Sequence, residues 1–200
     1  MPPIILGMLR SGILNKFSVK SLTRFITGAA PIGPDLQKEA MEAFGCPVLQ
    51  VYGASETTGV VTHNSHLDPA GVKFGSCGKP VPGVEFRIVE QKEDTSDVRD
   101  LPPMKDGEVW IRGPIIMTGY LNNDEATRES FAASSSSPID IEDSLDDAES
   151  AEVGVKRAEG NGKWYKTGDI GHFSPDGFLF ITDRLKELIK YKGCAGLVQG

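Results

Sequence analysis

No run of eighteen consecutive apolar residues occurs in the sequence, so it contains no candidate for a membrane-spanning helix. The opening "MPPIILGMLRSG" has too short an apolar stretch, and no basic leader, to read as a secretory signal. Cysteine is scarce: Cys46, Cys77 and Cys194 show no metal-ligand spacing, and an odd, scattered count fits reduced intracellular thiols in small buried sites. A basic surplus is also lacking. The 28 acidic residues outnumber the 21 Lys and Arg, which argues against a nucleic-acid partner. Seven of the acids lie together, at Asp140, Glu142, Asp143, Asp146, Asp147, Glu149 and Glu152, with no Lys or Arg among them. Taking these seven from the 28 leaves 21, equal to the basic count, so the rest of the chain is neutral.

What remains is ordinary globular material, 39% hydrophobic and 8% aromatic, in a length that suits one compact domain or two small ones. Residues 132–162, "AASSSSPIDIEDSLDDAESAEVGVKRAEGNG", stand apart, with no aromatic residue and no sustained period. Such a composition buries too little apolar surface to offset its ordering entropy, and predicts a disordered acidic insertion in a loop. A phosphorylated tether is the alternative reading. Upstream, "SLTRFITGAAPIG" predicts a strand from Arg24 to Thr27 ending in a tight turn. "GPDLQKEAMEAFG" then carries helix signals: Pro34 and Asp35 at the start, Gly45 at the end, and Leu36, Ala40 and Phe44 at four-residue steps. "PVLQVYG" follows as a second strand, and strand, helix, strand predicts a parallel α/β layer. From Gly75 onward the texture is of short strands between Gly and Pro. "GVEFRIVE" sets Val84, Phe86 and Ile88 against Glu85, Arg87 and Val89, and "GEVWIRGP" and "GFLFIT" add further strands to a small antiparallel unit.

Three stretches carry chemistry. "LQVYGASETTG" places Ser55 and Glu56 directly after a strand, where loops of α/β sheets converge on ligands. The Ser55 hydroxyl suits a phosphate oxygen, and the Glu56 carboxylate suits Mg²⁺, a hard cation that bridges to phosphates. A turn with a helix cap fits the same residues. In "WYKTGDIGHFSPDGFLFITDR", Asp169 can take two ribose hydroxyls with Arg184 bracing sugar or phosphate, or the two can form a structural pair in a hairpin. "KELIKYKG" puts Lys190 and Lys192 on one face of an extended segment, either a solvated strand face or a phosphate-facing cluster.

The order "TGAAP", "VYGASETTG", "GPIIMTGYLNNDEAT", "WYKTGDIG", "DRLKELIKYKG" resembles the adenylate-forming family of acyl-CoA synthetases, with the nearest likeness to 4-coumarate–CoA ligases. The likeness runs from Met1 to Gly193, interrupted by the acidic insertion. It implies part of the large α/β domain of such an enzyme, with a parallel layer and a small antiparallel β unit, ending at the hinge. It implies an ATP-dependent ligase that joins a small carboxylic acid to AMP and passes the acyl group to coenzyme A. Ala29, Gln50, Tyr52 and Gly53 are then expected at the acyl and nucleotide site. Ser55 stands where a Thr is usual and keeps the hydroxyl toward phosphate; Glu56 matches the Mg²⁺ ligand. Asp169 and Arg184 match the ribose-holding pair. Lys186 falls at the catalytic hinge, Lys190 at a nucleotide contact, and Lys192 and Gly193 where coenzyme A is contacted. His63 falls on the acyl-pocket stretch and, like His66, reads equally as a polar loop residue.

The same likeness exposes departures. Val51 occupies a position that is commonly Gly, adding bulk beside the acyl pocket. The Ser/Thr/Gly-rich phosphate loop and most of the C-terminal domain with its Lys are not in the sequence, and the tail "CAGLVQG" reads as a truncated frame. The expected units are residues 1–74, residues 75–183 with the insertion, and residues 184–200. The chain as it stands is expected to lack activity. A luciferase-like or peptide-synthetase relative and a non-catalytic nucleotide- or partner-binding remnant are the alternatives. A cytoplasmic or peroxisomal location is expected, and oligomeric state is left open.

Overall fold

Two prolines open the chain where a helix tolerates them, in a first turn whose N–H groups have no intrahelical partner. Helix α1 (Pro2–Arg10) follows and buries Ile5 against Ile32, Ala40, Phe44, Cys46 and Val48. These elements come from a computed structural model, whose described residues are 2–65, 67–68, 71–90, 98–132, 162–185, 188–191 and 194–197. The acidic residues 133–161 lie outside them, as do His66, Lys186, Lys192 and Gly193.

Strand β1 (Phe25–Thr27), helix α2 (Pro34–Phe44) and strand β2 (Val48–Gln50) form the expected strand–helix–strand unit. β1 and β2 are parallel, with Phe25 opposite Val48 and Thr27 opposite Gln50. Gly45 ends α2 with a left-handed φ of 65°, and its N–H donates to the Met41 carbonyl at 3.0 Å. The buried face of α2 holds more than its apolar residues, because Gln37 is fully buried beside Ala40 and Phe44. Its amide Nε2 donates to the Val48 carbonyl at 2.7 Å and its Oε1 accepts the Gly75 N–H at 2.8 Å. A satisfied amide can be buried at little cost, whereas an unsatisfied one cannot.

Two tight pairings follow, β3 (Gly53–Ala54) with β4 (Gly59–Val60), and β5 (Thr62–His63) with β6 (Lys79–Pro80). The antiparallel unit is a four-stranded sheet. Its strands β7 (Glu85–Val89), β8 (Gly107–Arg112), β9 (Tyr165–Phe173) and β10 (Leu179–Arg184) lie in the order β10-β9-β8-β7, with helix α3 (Asp124–Ser130) between β8 and β9 in sequence. Val84, Ile88, Val109, Ile111 and Leu179 form its core. Val61 joins this second core although it precedes Gly75, so the two cores divide earlier in the chain than residue 74. Val89, expected on the polar face, is buried because residues 99–101 run beside β7, with the Leu101 N–H donating to the Ile88 carbonyl at 2.8 Å.

Past the sheet, β11 (Leu188–Tyr191) pairs antiparallel with β12 (Cys194–Leu197). Cys194–Leu197 thus form the second strand of a hairpin. Among the described residues no helix is long and apolar enough to cross a membrane.

The two ends of the acidic segment meet. The Ala132 N–H donates to the Trp164 carbonyl at 2.9 Å, and the Phe131 and Tyr165 rings contact edge-on with centroids 5.8 Å apart. A neck closed by backbone and aromatic contacts does not depend on what it carries, since loop length adds closure entropy only slowly. Replacing residues 133–161 by a short Gly/Ser turn is therefore expected to raise stability slightly, by about 1–2 kcal/mol, at about 0.6 kcal/mol for each halving of the loop. Urea denaturation of the shortened chain checks this, and a midpoint falling by several-tenths molar would contradict it.

Candidate functional site

A cleft of about 450 Å³ opens at the carboxyl ends of β1 and β2, where ligands of parallel α/β layers dock. Gly28 and Ala29 of the turn after β1 form one wall; Val51, Gly53, Ala54 and Ser55 after β2 form the other. Val51 reaches toward Gly28, where an added Cβ would stand 3.2 Å from its methyl carbon. The bulk expected of Val51 thus lines the cleft. Gly53 has no room for any side chain, since a Cβ there would sit 2.0 Å from the Gly59 carbonyl oxygen.

The turn between β3 and β4 presents Ser55 and Glu56. Thr57 holds it from within, accepting the Ala54 N–H at 2.9 Å and donating to the Gly59 carbonyl at 2.7 Å. Ser55 is exposed and Glu56 half-buried. The Glu56 carboxylate accepts the Tyr120 hydroxyl at 3.0 Å, and its backbone carbonyl accepts the Met117 N–H at 2.8 Å. Neither Tyr120 nor Tyr165 figures among the expected site residues. Tyr120 sits inside the "GPIIMTGYLNNDEAT" motif and Tyr165 just before "KTGD", but no spacing rule links either to Glu56. Burial first, and then the negative Glu56, pushes both phenols up from their ordinary range.

Asp169 is only 5% exposed. Its carboxylate accepts the Tyr52 hydroxyl at 2.5 Å and the Arg184 Nε at 2.5 Å. Antiparallel pairing of β9 with β10 puts Arg184 directly opposite Asp169, so the hairpin pair expected as an alternative does form. Tyr52 adds a tie from the cleft segment to that pair. Burial, followed by the Asp169 charge, lifts the Tyr52 phenol well above its ordinary range. A carboxylate offers about four lone-pair sites, and among the described residues Tyr52 and Arg184 use two of them.

The other expected residues divide. Gln50 is 1% exposed, and its amide is occupied: Oε1 accepts the Ile32 N–H at 2.5 Å and Nε2 donates to the Gly75 carbonyl at 3.2 Å. Its side chain therefore braces the wall behind the cleft instead of facing it. Lys190 lies in β11 opposite Ala195. Lys186, Lys192 and Gly193 fall outside the described residues. His63 is exposed on β5 and does not line the cleft. The structure thus gathers Ala29, Gly53 and Ser55 at the cleft, Glu56 beside it with Tyr120, and Tyr52 with Asp169 and Arg184.

Among the described residues no three His, Cys, Asp or Glu side chains converge on one point. Glu56 offers a carboxylate with one oxygen engaged by Tyr120. That donor set suits Mg²⁺, which commonly takes one or two carboxylates and fills its shell with water and substrate phosphates.

A family profile described as AMP-binding enzyme matches residues 1–121. The chain belongs to the AMP-binding enzyme family. It is 34% identical over 192 residues to 4-coumarate–CoA ligase-like 9 of Arabidopsis thaliana, covering 96% of this chain and 28% of that protein. It is likewise 34% identical over 196 residues to 4-coumarate–CoA ligase of Pinus taeda, of which it covers 30%. Among solved structures, an amide bond synthetase from Marinactinospora thermotolerans superposes with a TM-score of 0.69 at 27% identity, over 97% of this chain and 32% of that one. The o-succinylbenzoate–CoA synthetase of Bacillus subtilis, solved with ATP and magnesium ion, superposes with a TM-score of 0.60 at 28% identity, over 94% and 32%. The chain thus spans less than a third of the length of these AMP-binding enzymes, and its fold is part of the large domain of adenylate-forming proteins.

Proposed function

We propose that this chain forms the nucleotide and acid site of an ATP-dependent carboxylic acid–CoA ligase. The observation that carries the reading is the cleft at the ends of two parallel strands, with the Ser55 hydroxyl in its wall and the Glu56 carboxylate next to it. In the reaction, a carboxylate oxygen of the acid attacks the α-phosphorus of ATP. The new P–O bond forms as the bond to the β-phosphate breaks and pyrophosphate leaves. The thiolate of coenzyme A then attacks the acyl carbonyl and releases AMP. Ala29 and Gly53 would line the pocket for the acid and adenine, and Ser55 would donate to a phosphate oxygen. Glu56 would hold Mg²⁺, which supplies charge neutralisation on the departing pyrophosphate. Asp169 would accept the ribose hydroxyls through its remaining lone pairs while Arg184 fixes its orientation. Lys186, Lys190, Lys192 and Gly193 would serve the hinge, the nucleotide and coenzyme A.

A coenzyme A acceptor is favoured over an amine because the relatives at 34–36% identity carry CoA ligase names, against 27% for the amide bond synthetase. Among the described residues, none that lines the cleft is Lys or Arg. Positioning without positive charge at the reacting phosphate supplies only part of the stabilisation that such a transition state needs. Isothermal titration of the 200-residue chain is therefore expected to show binding of AMP, and tighter binding of an acyl-sulfamoyl adenosine. Acid-dependent pyrophosphate release should stay at background. Absence of binding by both ligands would sink the reading, and steady pyrophosphate release would overturn the expected inactivity.

A further inference from the structure

The Ser55–Thr58 turn is held at three points by one neighbouring loop, two of them on Glu56 itself. The Thr58 hydroxyl donates to the Ile115 carbonyl at 2.6 Å, the Met117 N–H donates to the Glu56 carbonyl at 2.8 Å, and the Tyr120 hydroxyl donates to Glu56 Oε1 at 3.0 Å. The loop is in turn anchored on α3. Thr127 Oγ1 accepts the Tyr120 N–H at 2.9 Å and donates to the Asn123 carbonyl at 2.8 Å, and Asn123 Oδ1 caps the helix by accepting the Ala126 N–H at 3.0 Å. Gly119 belongs to the same anchor, because a Cβ there would meet the Thr127 methyl at 2.6 Å. Tyr165, from β9, is near enough to Tyr120 and Glu56 for both to act on its phenol. Met117 and Tyr120 are 61 and 64 residues from Glu56 in sequence, so local turn geometry cannot explain their convergence.

From this convergence we infer that Tyr120 is a positioning residue for Glu56. The loop 113–120 clasps the Ser55–Thr58 turn and aims the Glu56 carboxylate at a divalent cation carried by the nucleotide. The inference rests on the proposed reading of Glu56 as the metal-holding group and adds what orients it. A single carboxylate on a surface turn samples several rotamers, and a donor fixed on one oxygen selects among them. The neutral phenol leaves the carboxylate charge intact, which an ammonium or guanidinium in the same place would oppose. Tyr120 needs no contact with substrate for this role.

The test uses Mn²⁺ as the cation, with ATP, on the 200-residue chain, read by electron paramagnetic resonance; AMP without metal is titrated in parallel. Tyr120→Phe is expected to weaken Mn²⁺ binding in the presence of ATP about tenfold, a usual size for losing a group that orients a metal ligand. It should leave AMP affinity unchanged. Thr58→Val, which loosens the clasp without touching the carboxylate, is expected to weaken Mn²⁺ binding about threefold, the worth of one modest hydrogen bond. If Glu56→Gln abolishes the protein-bound Mn²⁺ while both clasp variants match the unsubstituted chain, the positioning role is overturned and the metal role of Glu56 stands. If the unsubstituted chain binds neither AMP nor Mn²⁺ with ATP, the functional reading fails and the positioning role falls with it.

Discussion

Asp169→Asn is expected to lower AMP affinity on the order of a hundredfold, equivalent to about 3 kcal/mol. Hydrogen bonds to a charged partner are worth about 1.5–3 kcal/mol each, and a ribose diol offers two donors to one carboxylate. Asn keeps one acceptor oxygen but replaces the other with an amino group that points a donor at a donor. The folding cost should be smaller. Arg184 is about a third exposed, so its guanidinium can exchange the lost carboxylate for water, and the usual penalty for stranding a buried charge is much reduced. A loss of about 1–2 kcal/mol in unfolding free energy is expected, well short of the binding loss.

Tyr52→Phe separates the two roles Asp169 can have. It removes the hydroxyl that donates to Asp169 at 2.5 Å but leaves the carboxylate and Arg184 in place. A nucleotide site should then lose no more than about tenfold in AMP affinity, because orientation suffers but acceptors remain. If Asp169→Asn lowers stability yet leaves AMP affinity within twofold of the unsubstituted chain, the pair is only a hairpin tie. Titration calorimetry on the two variants, with urea denaturation alongside, makes that decision.

The choice between those roles shows where sequence reasoning stops. Fifteen residues separate Asp169 from Arg184, and that spacing suits a hairpin pair as well as a ligand clamp. The structure adds Tyr52, 117 residues away, a tie that no local pattern can announce. Elements with strong local causes were legible. α2 has Pro34 and Asp35 at one end and Gly45 at the other, and β7 alternates cleanly until Val89. What failed was set by distant partners. Gln37 carries no local signal of burial and Gln50 is expected at the acyl and nucleotide site, yet each is buried with its amide held by backbone groups from other segments. β9 hid behind the glycines of "KTGDIGHF", which weaken any strand pattern. Gly168 adopts a left-handed φ of 69°, and Gly171 leaves room for the Phe180 carbonyl, which a Cβ would approach to 2.2 Å. The cleft itself was legible because a Gly-rich turn after each of two parallel strands is a local feature. The Glu56 clasp was not, because it depends on a loop some sixty residues downstream.

Raising the pH above about 9 is expected to destabilise the fold steeply, and Cys77 is the first cause. Burial pushes its thiol up from 9.0 to about 11. Between those values the unfolded chain releases a proton that the native state keeps. The native state then binds more protons, and unfolding free energy falls as pH rises. The full contribution is present below pH 9 and is gone once the pH passes about 11. A shift of this size corresponds to about 3 kcal/mol. Tyr52 and Tyr165 act in the same direction from about pH 10 upward, since both phenols are raised by burial. Cys46 is raised too, again by burial. The effect bears on the cleft because the Gln50 amide that donates to the Cys77 sulfur at 3.3 Å also holds Ile32 and Gly75 in the wall. Ionising the thiol asks water into that wall. Urea midpoints measured under reductant from pH 7 to 11 should be level to about pH 9 and then fall. Cys77→Ala should start lower, for its lost packing, but should flatten the fall between pH 9 and 10. An unsubstituted chain with a level profile to pH 11 would mean that the wall behind the cleft already admits water, and that Gln50 and Cys77 do not seal it.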